Sequence, residues 1–277
     1  MILVYNPKSG GAFGIRMLRT KFRKHRLKLE STIAIEKLDE LDKFLKKGKI
    51  VAVIGGDGTI SAVAAKVAGT EAVLAPLPGG TLNHFTKDLG IPQDLDEAIA
   101  ALPTGTIHQV DVAKVNDRIF INNSSLGMYP TSLRTRERYE RYIGKWPAAA
   151  VAAVRGLIGL KTYSLTIADE TFKTPFVFVG NNEYVLDNLG TATRTELDKA
   201  RLCVFVAKTA SRWRLIKIAL WTLIGKVKEL DEFEVREVTS LEIHSRRSHH
   251  VSYDGEVARM RPPIRYESAP GSLKVLR

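Results

Sequence analysis

Cysteine is nearly absent from this sequence: Cys203 stands alone among 277 residues. A single thiol excludes an intrachain disulfide and any zinc site built on several thiolates, and it fits a reducing, cytosolic setting. Long hydrophobic runs are also missing. The most apolar stretches, 147–160 and 215–225, are interrupted by Arg155 and Lys217. Both fall short of the roughly 18 apolar residues that a membrane span needs. The opening run Met1-Ile2-Leu3-Val4-Tyr5 is too short for the core of a secretion signal, and no basic residue precedes it. Acid is scarce relative to base: 30 Asp and Glu against 42 Lys and Arg, a formal charge of +12. That excess draws polyanions such as nucleotides, nucleic acid or anionic lipid. Zinc-finger spacings and aromatic-studded RNA-binding strands are missing too, so no nucleic-acid partner is expected.

What is present is an ordinary globular composition, 44% apolar and 26% charged. The length suits one large domain or two medium ones. Up to about residue 106, strands and helices alternate. Strands are expected at 2–5, 28–35, 50–54 and 72–76, and helices at 14–26, 38–47, after the Gly55–Thr59 segment through about Val67, and at 95–101. The run Ile50-Val51-Ala52-Val53-Ile54 is continuously apolar, the mark of a strand buried on both faces. Such alternation implies a parallel sheet covered on both sides. Beyond Pro103 and Gly105 the pattern changes to strands joined by turns, at 109–115, 118–122, 164–168, 171–179, 202–207 and 241–245. Two helices interrupt them, at 134–159 and 212–225. The expected division is therefore an α/β domain over 1–106 and a mostly β domain over 107–277.

The strongest chemical signal is Gly55-Gly56-Asp57-Gly58-Thr59, between a buried strand and a helix. Glycines let a phosphate approach the backbone, and free N–H groups at a helix start favour anions. Thr59 adds a hydroxyl. Asp57 beside phosphates points to Mg²⁺. No Gly-Lys-Ser/Thr follows, so this is not a Walker A loop, and a dinucleotide fingerprint would lie earlier in the chain. Pro78-Gly79-Gly80-Thr81-Leu82-Asn83 follows the next strand, and Asn6-Pro7-Lys8-Ser9-Gly10-Gly11 follows the first. All three loops are expected at the carboxyl edge of the sheet, where open α/β sheets bind ligands. Far away, Asp254-Gly255-Glu256 reads either as a hairpin turn or as a general base with an acidic neighbour.

On these residues, with Asp111, Asn123 and Gly127, the chain resembles the diacylglycerol kinase catalytic-domain family of lipid kinases, which includes bacterial lipid kinases and sphingosine kinases. The resemblance covers essentially the whole chain. It implies an N-terminal Rossmann-like, phosphofructokinase- and NAD kinase-like domain, a C-terminal β-sandwich domain that takes the lipid, and an active site in the cleft between them. It implies transfer of the γ-phosphate of ATP, with Mg²⁺, to a lipid hydroxyl of diacylglycerol or sphingoid type. By this resemblance Asp254 and Glu256 are catalytic and Asp57 and Asp111 hold the metal. Nucleotide falls to Asn6, Lys8, Ser9, Gly55, Gly56, Asp57, Gly58, Thr59, Gly79, Gly80, Thr81, Asn83 and Lys87.

Two features depart from the family pattern. The acid usual after Asn83 is His84, and Lys199 stands in Leu197-Asp198-Lys199-Ala200 where a second acid is common. An NAD kinase-like phosphotransferase and an inactive lipid- or nucleotide-binding protein are the alternatives. The expected location is cytoplasmic, at the inner face of an anionic membrane. Residues 16–28 hold seven Lys or Arg and no acid, and an amphipathic stripe over 213–227 would help. Oligomeric state has no readable signal.

Overall fold

The computed structural model describes residues 1–9, 14–127, 163–167, 170–174, 176–186, 192–194, 196–207, 233–245 and 247–277. The helices expected at 134–159 and 212–225, with the amphipathic stripe, lie outside the described residues, as do Gly10 and Gly11 of the first loop.

The N-terminal half is a parallel sheet of β1 (Ile2–Tyr5), β2 (Ser31–Ala34), β3 (Ile50–Gly55) and β4 (Val73–Pro78), in the order β2-β1-β3-β4. Side chains alternate across a strand, and here both sides are apolar. Ile2, Val4, Val51 and Val53 face one core; Leu3, Ala52, Ile54 and Leu77 face the other. On the first side lies α2 (Asp57–Val67), with Ile60, Val63 and Ala64 buried. On the second lie α1 (Ile15–Lys24), through Leu18 and Phe22, and a later helix over residues 95–101, through Leu95, Ala98 and Ile99. Between them in sequence runs the short α3 (His84–Asp88), so the helix at Leu95–Ala101 is α4. Residues Ile35–Lys47 form 3₁₀ turns with non-helical backbone at Lys37, where an α-helix was expected.

The remaining described strands pair antiparallel, apart from the end of the last one. After β5 (Ile107–Val115), β6 (Arg118–Phe120) and β7 (Asn123–Gly127) come β8 (Tyr163–Ile167), β9 (Glu170–Thr174), β10 (Phe176–Asn181), β11 (Val185–Leu186), β12 (Ala192–Thr193), β13 (Leu202–Ala207), β14 (Phe233–Val238), β15 (Ser240–Ile243), β16 (His249–Tyr253), β17 (Glu256–Met260) and β18 (Ile264–Leu276). One sheet of these runs β14-β13-β10-β7-β16-β17. Its Val177, Val179, Val204 and Val251 pack with Ala113, Val115, Ile243 and Tyr266 of the facing strands. This is a sandwich core, as two half-apolar sheets require.

The two halves share one sheet. Long β18 pairs antiparallel with β5 and β15, and its end runs parallel to β4, Lys274 opposite Val73 and Val275 opposite Leu74. The last residues thus add a strand to the N-terminal sheet, although the sequence division assigns them to the second domain.

Candidate active site

Because β1, β3 and β4 run parallel, their ends deliver three loops to one edge. Asn6 ties two of them: its Nδ2 donates to Thr59 Oγ1 at 3.0 Å, and its backbone N–H donates to the Ile54 carbonyl at 3.1 Å. Its Oδ1 accepts from the Lys8 amide at 2.9 Å, an Asx turn. The Ser9 hydroxyl donates to the Gly79 carbonyl, tying the first loop to the third. The glycine loops then press backbone against backbone. A β-carbon on Gly80 would lie 2.5 Å from Gly56 Cα, and one on Gly79 would lie 2.8 Å from Gly55 N. Only glycine permits that approach.

Gly58 is different. A β-carbon there would meet nothing within 4 Å. It sits in the first turn of α2, where the Thr59 and Ile60 amides donate to the Gly56 carbonyl at 2.9 and 3.1 Å and the Asp57 and Gly58 amides precede the helix's own hydrogen bonds. Open space in front of a helix start is what a phosphate needs. Asn83 completes the rim. It takes the left-handed conformation, φ +52°, and its Oδ1 accepts from the Gly80 amide at 2.9 Å. Asp57 Oδ1 accepts from the Phe85 amide at 3.3 Å, so α2 and α3 are joined at the loops. Thr81, His84, Lys87 and Lys8 are exposed around the edge, Lys8 lying 3.4 Å from Glu36.

Two clefts flank these loops. One, of about 440 Å³, lies between Gly79, Gly80 and Asn83 on one wall and Met17, Lys21 and Asp96 on the other. The other, of about 270 Å³, lies between Gly58, Ser61 and Ala62 of α2 and Arg118, Tyr253, Asp254 and Glu256 of the second half. A separate cleft of about 590 Å³, lined by Arg19, Arg23, Arg26 and Lys28 beside β2, shares no residue with the loops.

Asp254 and Gly255 form the two-residue turn between β16 and β17, with φ +45° and +89° and Tyr253 paired to Glu256. Positive φ at both centres marks a type I′ hairpin. The turn aims the carboxylate inward, so the hairpin reading and the general-base reading do not exclude one another. Asp254 Oδ2 accepts from the Ile121 amide at 2.7 Å and from the Ser61 hydroxyl; Oδ1 accepts from the Asn122 and Asn123 amides at 2.8 and 3.1 Å. Burial pushes this carboxyl above the usual carboxylate range, against the pull of its four donors. Ser61, on α2, brings the phosphate-loop helix into direct contact with the carboxylate.

Residues 1–115 match the diacylglycerol kinase catalytic domain. Residues 132–277, more than half of the chain, match the YegS C-terminal NAD kinase beta sandwich-like domain. The chain belongs to the diacylglycerol kinase family of lipid kinases. A Salmonella newport protein named "Probable lipid kinase YegS" is 31% identical over 142 residues, 48% of each chain; in that match the chain spans about half the length of its curated relative. A Streptococcus pneumoniae protein named "Putative lipid kinase" is 24% identical across 99% of this chain and 94% of its own. The crystal structure of a "putative diacylglycerol kinase" from Bacillus anthracis superposes with a TM-score of 0.76, covering 99% of this chain and 94% of that one at 22% identity. At that identity it shows the shared fold.

Against this lipid kinase frame, Asp111 needs correction. It is 3% exposed, and its two oxygens accept from the Ala200 amide at 2.6 Å and the Gly271 amide at 2.8 Å. Both oxygens already serve backbone donors, so the side chain acts as a clamp between loops and does not fit a metal ligand. Asp57 does fit. Only one of its oxygens takes a hydrogen bond among the described residues, and Mg²⁺ commonly uses one or two carboxylates plus phosphate and water. No three His, Cys, Asp or Glu cluster as a metal cage among the described residues. Lys199 pairs with Glu196 at 3.0 Å on the surface. Glu256 is exposed beside the cleft.

The sequence reading missed Arg194. Its side chain is buried, as is that of Asp88, whose Oδ2 receives Nε at 2.9 Å and Nη2 at 2.7 Å. Nη1 donates to the Ile121 carbonyl at 2.5 Å and to the Asn181 carbonyl at 3.3 Å, and Nη2 to Asn122 Oδ1 at 2.7 Å. Phe85 and Tyr184 rings lie 6.0 and 5.5 Å from the guanidinium carbon. Four of the five N–H donors of an arginine make hydrogen bonds, and Nη2 also lies in ion-pair contact with Asp88. Nothing local marks this residue: it stands between short segments, 106 positions from its carboxylate.

Proposed function

We propose that this protein is an ATP-dependent lipid kinase that moves the γ-phosphate to a hydroxyl of a lipid, with diacylglycerol-like or sphingoid headgroups as the acceptor class. One observation carries the reading: the glycine loops at the parallel-sheet edge and the buried carboxylate of Asp254 face each other across α2, joined through Ser61. The cleft beside Gly79 and Asn83 would take the nucleoside end of ATP, and the first turn of α2 its phosphates. Asp57 would hold Mg²⁺, which when bound neutralises phosphate charge. The acceptor hydroxyl would enter the cleft of Tyr253 and Glu256, and its proton would pass to Asp254 as the oxygen attacks in line. A carboxyl lifted by burial is a stronger base than an exposed one, which suits that step.

The substrate hydroxyl belongs to a lipid, so the protein must meet a membrane. Among the described residues no helix is long and apolar enough to cross one. Arg16, Arg19, Arg23, Lys24, Arg26 and Lys28 are all exposed and would dock it on anionic lipid. The test is transfer of labelled γ-phosphate from Mg·ATP to a panel of diacylglycerol, sphingoid base and phosphatidylglycerol in mixed vesicles, with NAD as a separate acceptor. Labelled lipid is the expected product. Labelled NADP would favour the NAD kinase-like reading, and ATP binding without transfer an inactive one.

A further inference from the structure

We propose that Arg194 is a positioning residue: it sets the backbone cradle of Asp254, and its ion pair with Asp88 ties that setting to the phosphate loops. The catalytic half of this inference rests on the lipid kinase reading above; the geometric half does not.

The cradle is the peptide segment Ile121-Asn122-Asn123. Its three amides point at the Asp254 carboxylate. Its opposite side is what Arg194 holds. The guanidinium grips the Ile121 carbonyl and the Asn122 side chain. Asn181 Nδ2 adds a donor to the Ile121 carbonyl at 3.0 Å, and the Tyr184 hydroxyl donates to the Asn122 carbonyl at 3.0 Å. A peptide fixed on its carbonyl side presents its amides at a fixed place, so the position of Asp254 is set from behind.

The second link runs the other way. Asp88 is the last residue of α3. The same helix begins beside Asn83, which shapes Gly80, and offers the Phe85 amide to Asp57. Phe85 also lies against the guanidinium. A five-residue helix therefore has the phosphate loops at one end and Arg194 at the other. A displacement of either end is passed to the other, because a buried guanidinium held by Asp88, Ile121, Asn122 and Asn181 cannot shift without giving up one of them. Lysine could keep the charge but not the planar fork that reaches Asp88, Ile121 and Asn122 at once.

The experiment uses the full chain with Arg194→Lys and Asp88→Asn, and with Lys49→Gln as a control that breaks the exposed ion pair to Glu30. The first readout, without substrate, is amide hydrogen exchange at Ile121, Asn122 and Asn123. Both variants should speed exchange there by about 10-fold or more while β3 and β13 stay protected, and the control should change nothing. Unchanged protection at the cradle, or a uniform rise through the chain, overturns the proposal. The second readout is phosphate transfer to the lipid that the wild type uses. kcat should fall about 10–100-fold, as expected for a misplaced reacting group, and by clearly more than any loss of ATP affinity passed through α3. Equal loss of both, or an unchanged kcat, overturns the catalytic role. A wild-type chain that transfers to no lipid sinks the kinase reading instead, and hydrogen exchange then decides the positioning alone.

Discussion

Gly58 offers a clean separation of folding from function. The perturbation is Gly58→Ala. In most phosphate loops such a change confuses two effects, because the new methyl group strikes the protein. Here a β-carbon at 58 meets no heavy atom within 4 Å, and the residue has helical backbone in the first turn of α2. The fold should therefore gain. Alanine is favoured over glycine inside helices by up to about 1 kcal/mol, and roughly half of that is expected so near the helix start. The unfolded chain also loses freedom. For a protein of this size that corresponds to a melting temperature about 1–2 °C higher. Function should move the opposite way. The methyl group projects into the cleft shared with Ser61 and Asp254, into the space proposed for the transferred phosphate. A loss of about 10-fold in kcat/KM, equal to about 1.4 kcal/mol of transition-state stabilisation, is expected for alanine, and a larger one for Gly58→Val. Scanning calorimetry and steady-state transfer to vesicle lipid measure the two sides. A variant with unchanged melting temperature or higher and full activity would refute the assignment of this space to phosphate.

Gly80→Ala should do the reverse: its β-carbon would lie 2.5 Å from Gly56 Cα, the loops must part by about 1 Å to reach carbon–carbon contact distance, and urea unfolding should show a loss of about 1–3 kcal/mol. Asp111→Ala removes the acceptor of the half-buried Ala200 and Gly271 amides and should cost about 1–3 kcal/mol, whether or not Mg²⁺ is present; a loss seen only with Mg²⁺ would restore Asp111 as a ligand. Co-sedimentation with anionic vesicles should fall steeply with salt and drop further in Arg19→Gln/Arg23→Gln/Arg26→Gln, since each near-surface cation contributes about 1 kcal/mol; binding indifferent to salt and to the triple change would contradict docking by this face. Asp254→Asn should lower kcat by about 10²–10⁴ with little change in ATP affinity. In the wild type the acid limb of kcat/KM should lie above the ordinary carboxylate range, because burial raises this carboxyl and activity needs its ionised form, so activity is lost as pH falls through the raised value; a limb at or below that range would refute Asp254 as the base.

The legible parts of the sequence were those governed by short-range pattern. The apolar run at 50–54 announced a strand covered on both faces, and Gly-rich segments after successive parallel strands had to meet at one edge. The structure brings Asn6, Thr59, Gly79 and Gly80 together there. Asp254-Gly255 was legible as a turn, for only such a pair accepts two positive φ angles cheaply. Other parts depended on distant partners. Leu38, Leu41 and Leu45 have helical spacing, yet the segment winds as 3₁₀ turns broken at Lys37. Ile264 and Tyr266 alternate with Arg265 and Glu267 as a strand should, but Pro270-Gly271 disguises the continuation, which the structure absorbs as an irregularity between Ala269 and Leu273. The resemblance implies a ligand role for Asp111, and a buried clamp and a metal ligand demand the same residue type. Arg194 is illegible for the complementary reason: a buried arginine is defined wholly by its partners, and all of them are remote.

The four donors around Asp254 bear on whether a carboxylate so fully satisfied can act as a base. A carboxylate has about four lone-pair sites, and here three are met by the backbone amides of residues 121–123, the link between β6 and β7. Those three orient the group and cannot leave. The fourth donor, the Ser61 hydroxyl, is of another kind: it rotates about its own bond and belongs to α2. It is the one position on Asp254 that can be given up without unmaking the fold. An acceptor hydroxyl arriving in the cleft would meet Oδ2 there, exchanging one O–H donor for another at little net cost in hydrogen bonds. Until then Ser61 keeps a buried charge paired, which an empty site could not do without a penalty. The same serine stands one turn beyond Gly58, on the helix whose first amides are offered to phosphate. On the proposed reading, the base, the donor that guards it and the phosphate-facing amides would thus be set by two pieces, the 121–123 cradle and α2, and in-line transfer would ask the acceptor oxygen to take the place of the Ser61 hydroxyl.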